Sequence, residues 1–136
     1  MKLTVAENVA PDPWNASVAD RGGTIYHTTV WARYLAVAQP NAQPRYLTLL
    51  DDADRPVAVA LGMEERSPHP VLSALSRKLT LSAFPAMGTD REDVLAGFLR
   101  CLEDHAREVG LTELLVESSA SRGGEEELGA LGYDLV

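Results

Sequence analysis

Between residues 78 and 117 the hydrophobic pattern changes period twice, and nothing else in the chain limits its topology as much. "KLTLSAF" (78–84) alternates apolar and polar side chains, the period of a strand. Asp90 then opens a helix whose apolar positions Val94, Leu95, Phe98, Leu99, Leu102, Ala106 and Val109 share one face. Arg91, Arg100, Glu103, Asp104, Arg107 and Glu108 take the other face, and Gly110 supplies a C′ residue. "LTELLVESS" (111–119) follows as a nearly continuous apolar run, the composition of a strand covered on both sides. Strand, helix and strand in that order predict a crossover connection within a sheet.

The preceding half supplies the sheet's other strands. "LTVAE" (3–7) alternates as a first strand. Asp12 as N-cap, Pro13 at the first helical position and Gly22-Gly23 as a stop predict a helix between them. Thr28 or Thr29 caps a second helix carrying Val30, Trp31, Tyr34, Leu35 and Val37, closed by Pro40. Residues 44–64 read as a hairpin turning on "DDADR", and 67–77 as a loop. "SRGGEEELGALGY" predicts a short helix ending at Gly132, with "YDLV" starting a last strand. The order β-α-α-β-β-β-α-β-α-β predicts one α/β domain over 1–136, a mixed and largely antiparallel sheet flanked by helices.

Composition narrows the function. No apolar run approaches the ~20 residues of a membrane span, and "MKLTVAENVAPDP" lacks an apolar signal core, so a cytoplasmic protein is expected. A net charge of −8 with scattered basic residues argues against binding DNA or RNA. Cys101 is the only cysteine, and His27, His69 and His105 lack metal-ligand spacing, so no disulfide framework and no metal are expected.

Three stretches carry a family resemblance: "GTIYHTTVWARYL" (23–35), "PRYLTLLDDADRPVAVAL" (44–61) and "EELGALGYDL" (126–135). With the element order, they resemble the GNAT acyltransferase superfamily, and most closely the first lobe of the FemAB-like transferases that build peptidoglycan cross-bridges. The resemblance implies a GNAT-like fold and transfer of an acyl or aminoacyl group to an amine acceptor, such as a cell-wall precursor. It places that small-molecule or peptide acceptor near Tyr26, His27 and Trp31. FemAB proteins join two such lobes, so it also implies a partner: a homodimer or a second GNAT-like lobe. The alternative is a non-catalytic GNAT-shaped binding or dimerisation module.

One departure concerns the donor. GNAT enzymes that use acetyl-coenzyme A carry a glycine-rich basic loop before the long helix, where this chain has "PAMGTD". A helix N-terminus attracts anions, but Asp90, Glu92 and Asp93 crowd this one with negative charge, and Gly88 is read as a turn residue. Acyl-coenzyme A is therefore disfavoured, and no cofactor is assigned. His27 is either a substrate contact or general base, since imidazole titrates near neutrality, or a residue that orders the turn beside Thr28 and Thr29. Glu64-Glu65 at a strand end offers a carboxylate to deprotonate an amine, or a solvated edge. Ser118, Ser119 and Ser121 with Arg122-Gly123-Gly124 offer a small anion nest, or a plain loop. Trp14 and Trp31 sit at helical spacing, as core anchors or as stacking platforms. His69 is expected in a solvated loop and His105 in packing.

Overall fold

Among the described residues, side-chain alternation along five strands assigns each helix to one face of a single sheet. The computed structural model describes residues 1–72, 75–88 and 92–117. Its elements are β1 (Lys2–Ala6), α1 (Pro11–Asp20), a 3₁₀ turn (Ile25–His27), α2 (Thr29–Ala38), β2 (Ala42–Leu50), β3 (Pro56–Arg66), β4 (Arg77–Leu81), α3 (Glu92–Val109) and β5 (Glu113–Val116). The strands lie side by side in chain order. β1 to β4 pair antiparallel and β4 with β5 parallel, the crossover being α3. This is the expected mixed α/β architecture. The expected helix over 121–133 and the last strand lie outside the described residues.

On one face Leu47 and Leu49 of β2, Ala58 and Ala60 of β3, and Leu79 and Leu81 of β4 meet Leu95, Phe98, Leu99 and Leu102 of α3. Those α3 residues recur at the spacing of one helical face, which is why an otherwise charged helix docks here. On the other face Tyr46, Val59 and Leu61 pack against Trp14 and Val18 of α1 and Ala32 of α2. Trp14 is thus a core anchor, its ring edge-on to Tyr46 at 5.0 Å.

Two of the boundaries that differ from expectation have a local cause. α1 begins at Pro11, with Ala10 at the N-cap, so Asp12 lies in its first turn rather than capping it. Pro11 and Pro13 both hold helical φ and lack the N–H that a cap would satisfy. β4 ends at Leu81 instead of continuing to Phe84, because the chain then bulges out of the ladder.

Candidate functional site

The bulge is the first part of the site. Leu81 pairs with Gly62, and the next pairing to β3 is Ala86 with Val59. Five steps along one chain, 81 to 86, thus span three along the other, 62 to 59, leaving two residues outside the ladder. Such insertions re-aim side chains and break pairing locally.

His27 holds that bulge. The Thr24 backbone N–H donates to its Nδ1 at 3.0 Å, which leaves the proton on Nε2, and Nε2–H donates to the Phe84 carbonyl at 2.6 Å. The His27 carbonyl accepts from Trp14 Nε1 at 2.7 Å, and the Thr24 hydroxyl accepts from the Tyr26 N–H. The side chain is only 4% exposed. His27 thus ties the 3₁₀ turn to the bulge through both ring nitrogens. Asn15 secures the same turn from α1: Thr29 N–H donates to its Oδ1 at 3.1 Å, and its Nδ2 donates to Thr29 Oγ1 at 3.0 Å.

In front of that tie lies a cleft of about 360 Å³ on the α1/α2 face of the sheet. Tyr26 and Trp31 form one wall, with rings edge-on at 4.9 Å, and Tyr34 stacks on Trp31 at 5.1 Å. The Trp31 indole N–H points to Ser82 Oγ at 3.4 Å, linking the wall to the start of the bulge. The floor consists of alternate residues of three strands: Met63 and Glu65 of β3, Lys78 and Thr80 of β4, and Leu115 with Glu117 at the end of β5. Of the expected acceptor residues, the structure brings Tyr26 and Trp31 into one cleft, while His27 is bonded to Thr24 and Phe84 and does not line it. Glu65, Lys78 and Glu117 join them, two carboxylates and one ammonium beside aromatic rings.

Strand alternation separates the Glu64-Glu65 pair. Glu65 faces the cleft, while Glu64 is buried on the α3 side with Arg45 and Arg77. Burial alone would push the Glu64 carboxyl up, but the Arg77 hydrogen bond and the charges of Arg45, Arg77 and Arg66 outweigh it. The group is held below the ordinary glutamate range, which unfits it as a base.

Elsewhere, Glu92 and Asp93 occupy the first turn of α3, and Gly88 adopts φ +74° with its N–H donated to the Arg21 carbonyl. Asp90 and the residues 118–124 lie outside the described residues. His69 is exposed in the loop before β4, and His105 lines a hollow beneath α3. Among the described residues no group of His, Cys, Asp or Glu is arranged to hold a metal ion, and no helix is long and apolar enough to cross a membrane.

Element order, sheet topology and helix placement match the GNAT fold. Several acetyltransferase structures share it. A protein described as a probable acetyltransferase superposes with a TM-score of 0.62 at 16% identity, covering 100% of this chain and 91% of its own. The aminoglycoside 6'-N-acetyltransferase of Acinetobacter haemolyticus gives 0.57 at 13% identity, covering 100% and 92%. The ribosomal-protein-alanine N-acetyltransferase of Brucella melitensis biovar Abortus 2308 gives 0.55 at 16%, covering 99% and 94%. No family model and no curated protein matches the sequence. At these identities the likeness is one of fold.

Proposed function

We propose that the chain is an acyltransferase domain acting on a primary amine, which binds in the cleft walled by Tyr26 and Trp31. The observation that carries this reading is the meeting of the Tyr26 and Trp31 rings with two carboxylates, Glu65 and Glu117, against the single ammonium of Lys78 in one hollow. An alkylammonium gains from both, by cation–π attraction and by ion pairing. Glu65 then takes the proton that the amine must lose before its nitrogen lone pair attacks the donor carbonyl. Backbone N–H groups of the bulge, held in place by His27, stabilise the tetrahedral oxyanion, and collapse of that intermediate expels the leaving group.

The stretches that resemble FemAB transferases point to the free amine of a peptidoglycan-precursor peptide as acceptor. They also suggest that the chain is one lobe of a two-lobe unit. On the donor side, Glu92 and Asp93 in the first turn of α3 oppose a diphosphate, so weak binding of coenzyme A esters is expected. The test is an amide-forming assay by mass spectrometry, with a muropeptide amine as acceptor and acetyl-coenzyme A or aminoacyl-tRNA as donor. Product from the wild type, reduced at least tenfold in Trp31→Ala, supports the reading. Absence of product with either donor, together with no binding of the amine, counts against it.

A second reading has its own support. Val30, Tyr34 and Val37 recur on one face of α2 and are largely exposed, with Ile25 beside them. An apolar stripe of this kind suits pairing with a second copy, as the dimerisation-module alternative requires. A chain that sediments as a monomer at micromolar concentration removes that alternative.

A further inference from the structure

The α3 side of the sheet carries a second constellation that amine acylation does not use. Glu64 is surrounded by three guanidinium groups. Arg77 Nε and Nη2 donate to Oε1 at 3.1 and 2.5 Å, Arg45 Nη2 donates to Oε2 at 2.6 Å, and Arg66 Nη2 stands 4.0 Å from Oε2. Arg77 also donates to the Val109 carbonyl at the end of α3. Arg45 spends one further N–H on the Pro44 carbonyl.

The charges do not balance. Three positive charges face one buried carboxylate, and the C-terminus of α3 contributes only about half a negative charge more. Glu7 approaches Arg45 no closer than 3.9 Å, and its side chain is 75% exposed. With Glu7 counted, roughly half a positive charge is left among the described residues, in a chain whose overall charge is −8. Two hollows open on this excess. One of about 230 Å³ has Arg45, Arg66, Arg77 and His105, with the carboxylates of Glu7 and Glu64, over an apolar floor including Val5 and Leu79. The other, of about 400 Å³, shares Glu7, Arg45, Glu64 and Arg66 and continues to Asn41 and Ser67. Arg66 is the group best placed to complete a site. It lies beyond hydrogen-bond distance of Glu64, and its side chain is 52% exposed.

We propose that this cluster is a binding site for a small oxyanion, a carboxylate or a phosphate monoester, on the face of the sheet opposite the amine cleft. A planar guanidinium donates two parallel N–H bonds to such an anion, and Arg66 has that fork to offer. Arg45 and Arg77, already fixed by Glu64, supply pre-oriented charge behind it. Glu64 acts as the hub that holds the arginines apart rather than as a ligand.

The test titrates the intact chain with inorganic phosphate and, separately, with butyrate, at constant ionic strength set by chloride. Arginine side-chain N–H resonances and calorimetry are the readouts. Saturable binding of one or both anions that shifts the Arg45, Arg66 and Arg77 resonances is expected, and the tighter anion identifies the class. Arg66→Gln, at a half-exposed strand end, should keep the fold by circular dichroism and weaken binding about tenfold. Glu7→Gln, which removes a competing carboxylate, should tighten it about threefold. A wild type with no saturable response to either anion overturns the proposal. So do two variants that bind as the wild type does.

Discussion

Replacing Glu64 with glutamine removes one charge and almost no volume, so it separates electrostatics from packing. The carboxylate is buried and bonds Arg45 and Arg77, and glutamine offers only one oxygen to receive their donors. Removing one partner of a buried ion pair costs about 3–5 kcal/mol when no water reaches the site. The two hollows beside the cluster admit water, which brings the expected loss to about 2–3 kcal/mol. For a chain of this length that corresponds to a Tm lower by roughly 6–12 °C.

The pH dependence has a definite sign. Because the folded state holds the Glu64 carboxyl below its ordinary value of 4.5, the unfolded chain takes up this proton first as pH falls. The stabilisation is therefore complete above about pH 4.5 and drains away as pH drops through the lower, folded value. Asp51 behaves alike, lowered chiefly by the Arg55 backbone N–H, but it is common to both proteins and cancels in the difference. Urea unfolding of wild type and Glu64→Gln, from pH 7 to pH 3 in phosphate-free buffer, reads the effect. The gap should be full near pH 7 and shrink steadily below pH 4.5, with equal m-values. A gap that is absent at pH 7, or that does not change with pH, refutes the reasoning.

Three further outcomes follow from the geometry. His27→Ala strands the Thr24 N–H and the Phe84 carbonyl in a buried setting, and should cost about 2–4 kcal/mol in urea unfolding. It should also move the Trp31 indole resonance, since the bulge that Trp31 touches loses its tie. Gly23→Ala places a Cβ 2.5 Å from Val18 Cγ1 and 3.0 Å from the Val18 carbonyl, and should destabilise by about 1–3 kcal/mol in the same assay. Asp54→Gly relieves a left-handed residue at φ 59° in the β2–β3 turn, and should leave Tm unchanged or raise it by a few degrees in calorimetry.

Local patterns made the scaffold legible. The shift from strand to helix period around 84–92 marked the crossover, Thr28 capped α2 with its hydroxyl as its type suggested, and Trp14 proved a core anchor. The site was legible only in part, because its pieces meet through pairing that local patterns do not encode. Tyr26 and Trp31 were named as acceptor residues only through the family resemblance, not through a local pattern of their own. The partner of His27 is a backbone carbonyl 57 residues away, which no spacing rule reveals. Glu64 and Glu65 looked like one acidic pair, yet a strand sends neighbours to opposite faces. The inward positions Leu79 and Leu81 held the missing signal, since they oblige Lys78 and Thr80 to face the other way. β4 ran short of its pattern because a bulge keeps apolar alternation while leaving the ladder.

The amine cleft is tested most directly by titrating ¹⁵N-labelled protein with 1,5-diaminopentane and following the Trp31 indole N–H together with the backbone signals of Tyr26, Lys78, Thr80 and Glu117. Saturable shifts confined to those residues, and abolished in a Glu65→Gln, Glu117→Gln double variant, are the expected result. Shifts that fall on the α3 face instead, or a cleft that stays silent at millimolar diamine, would contradict it.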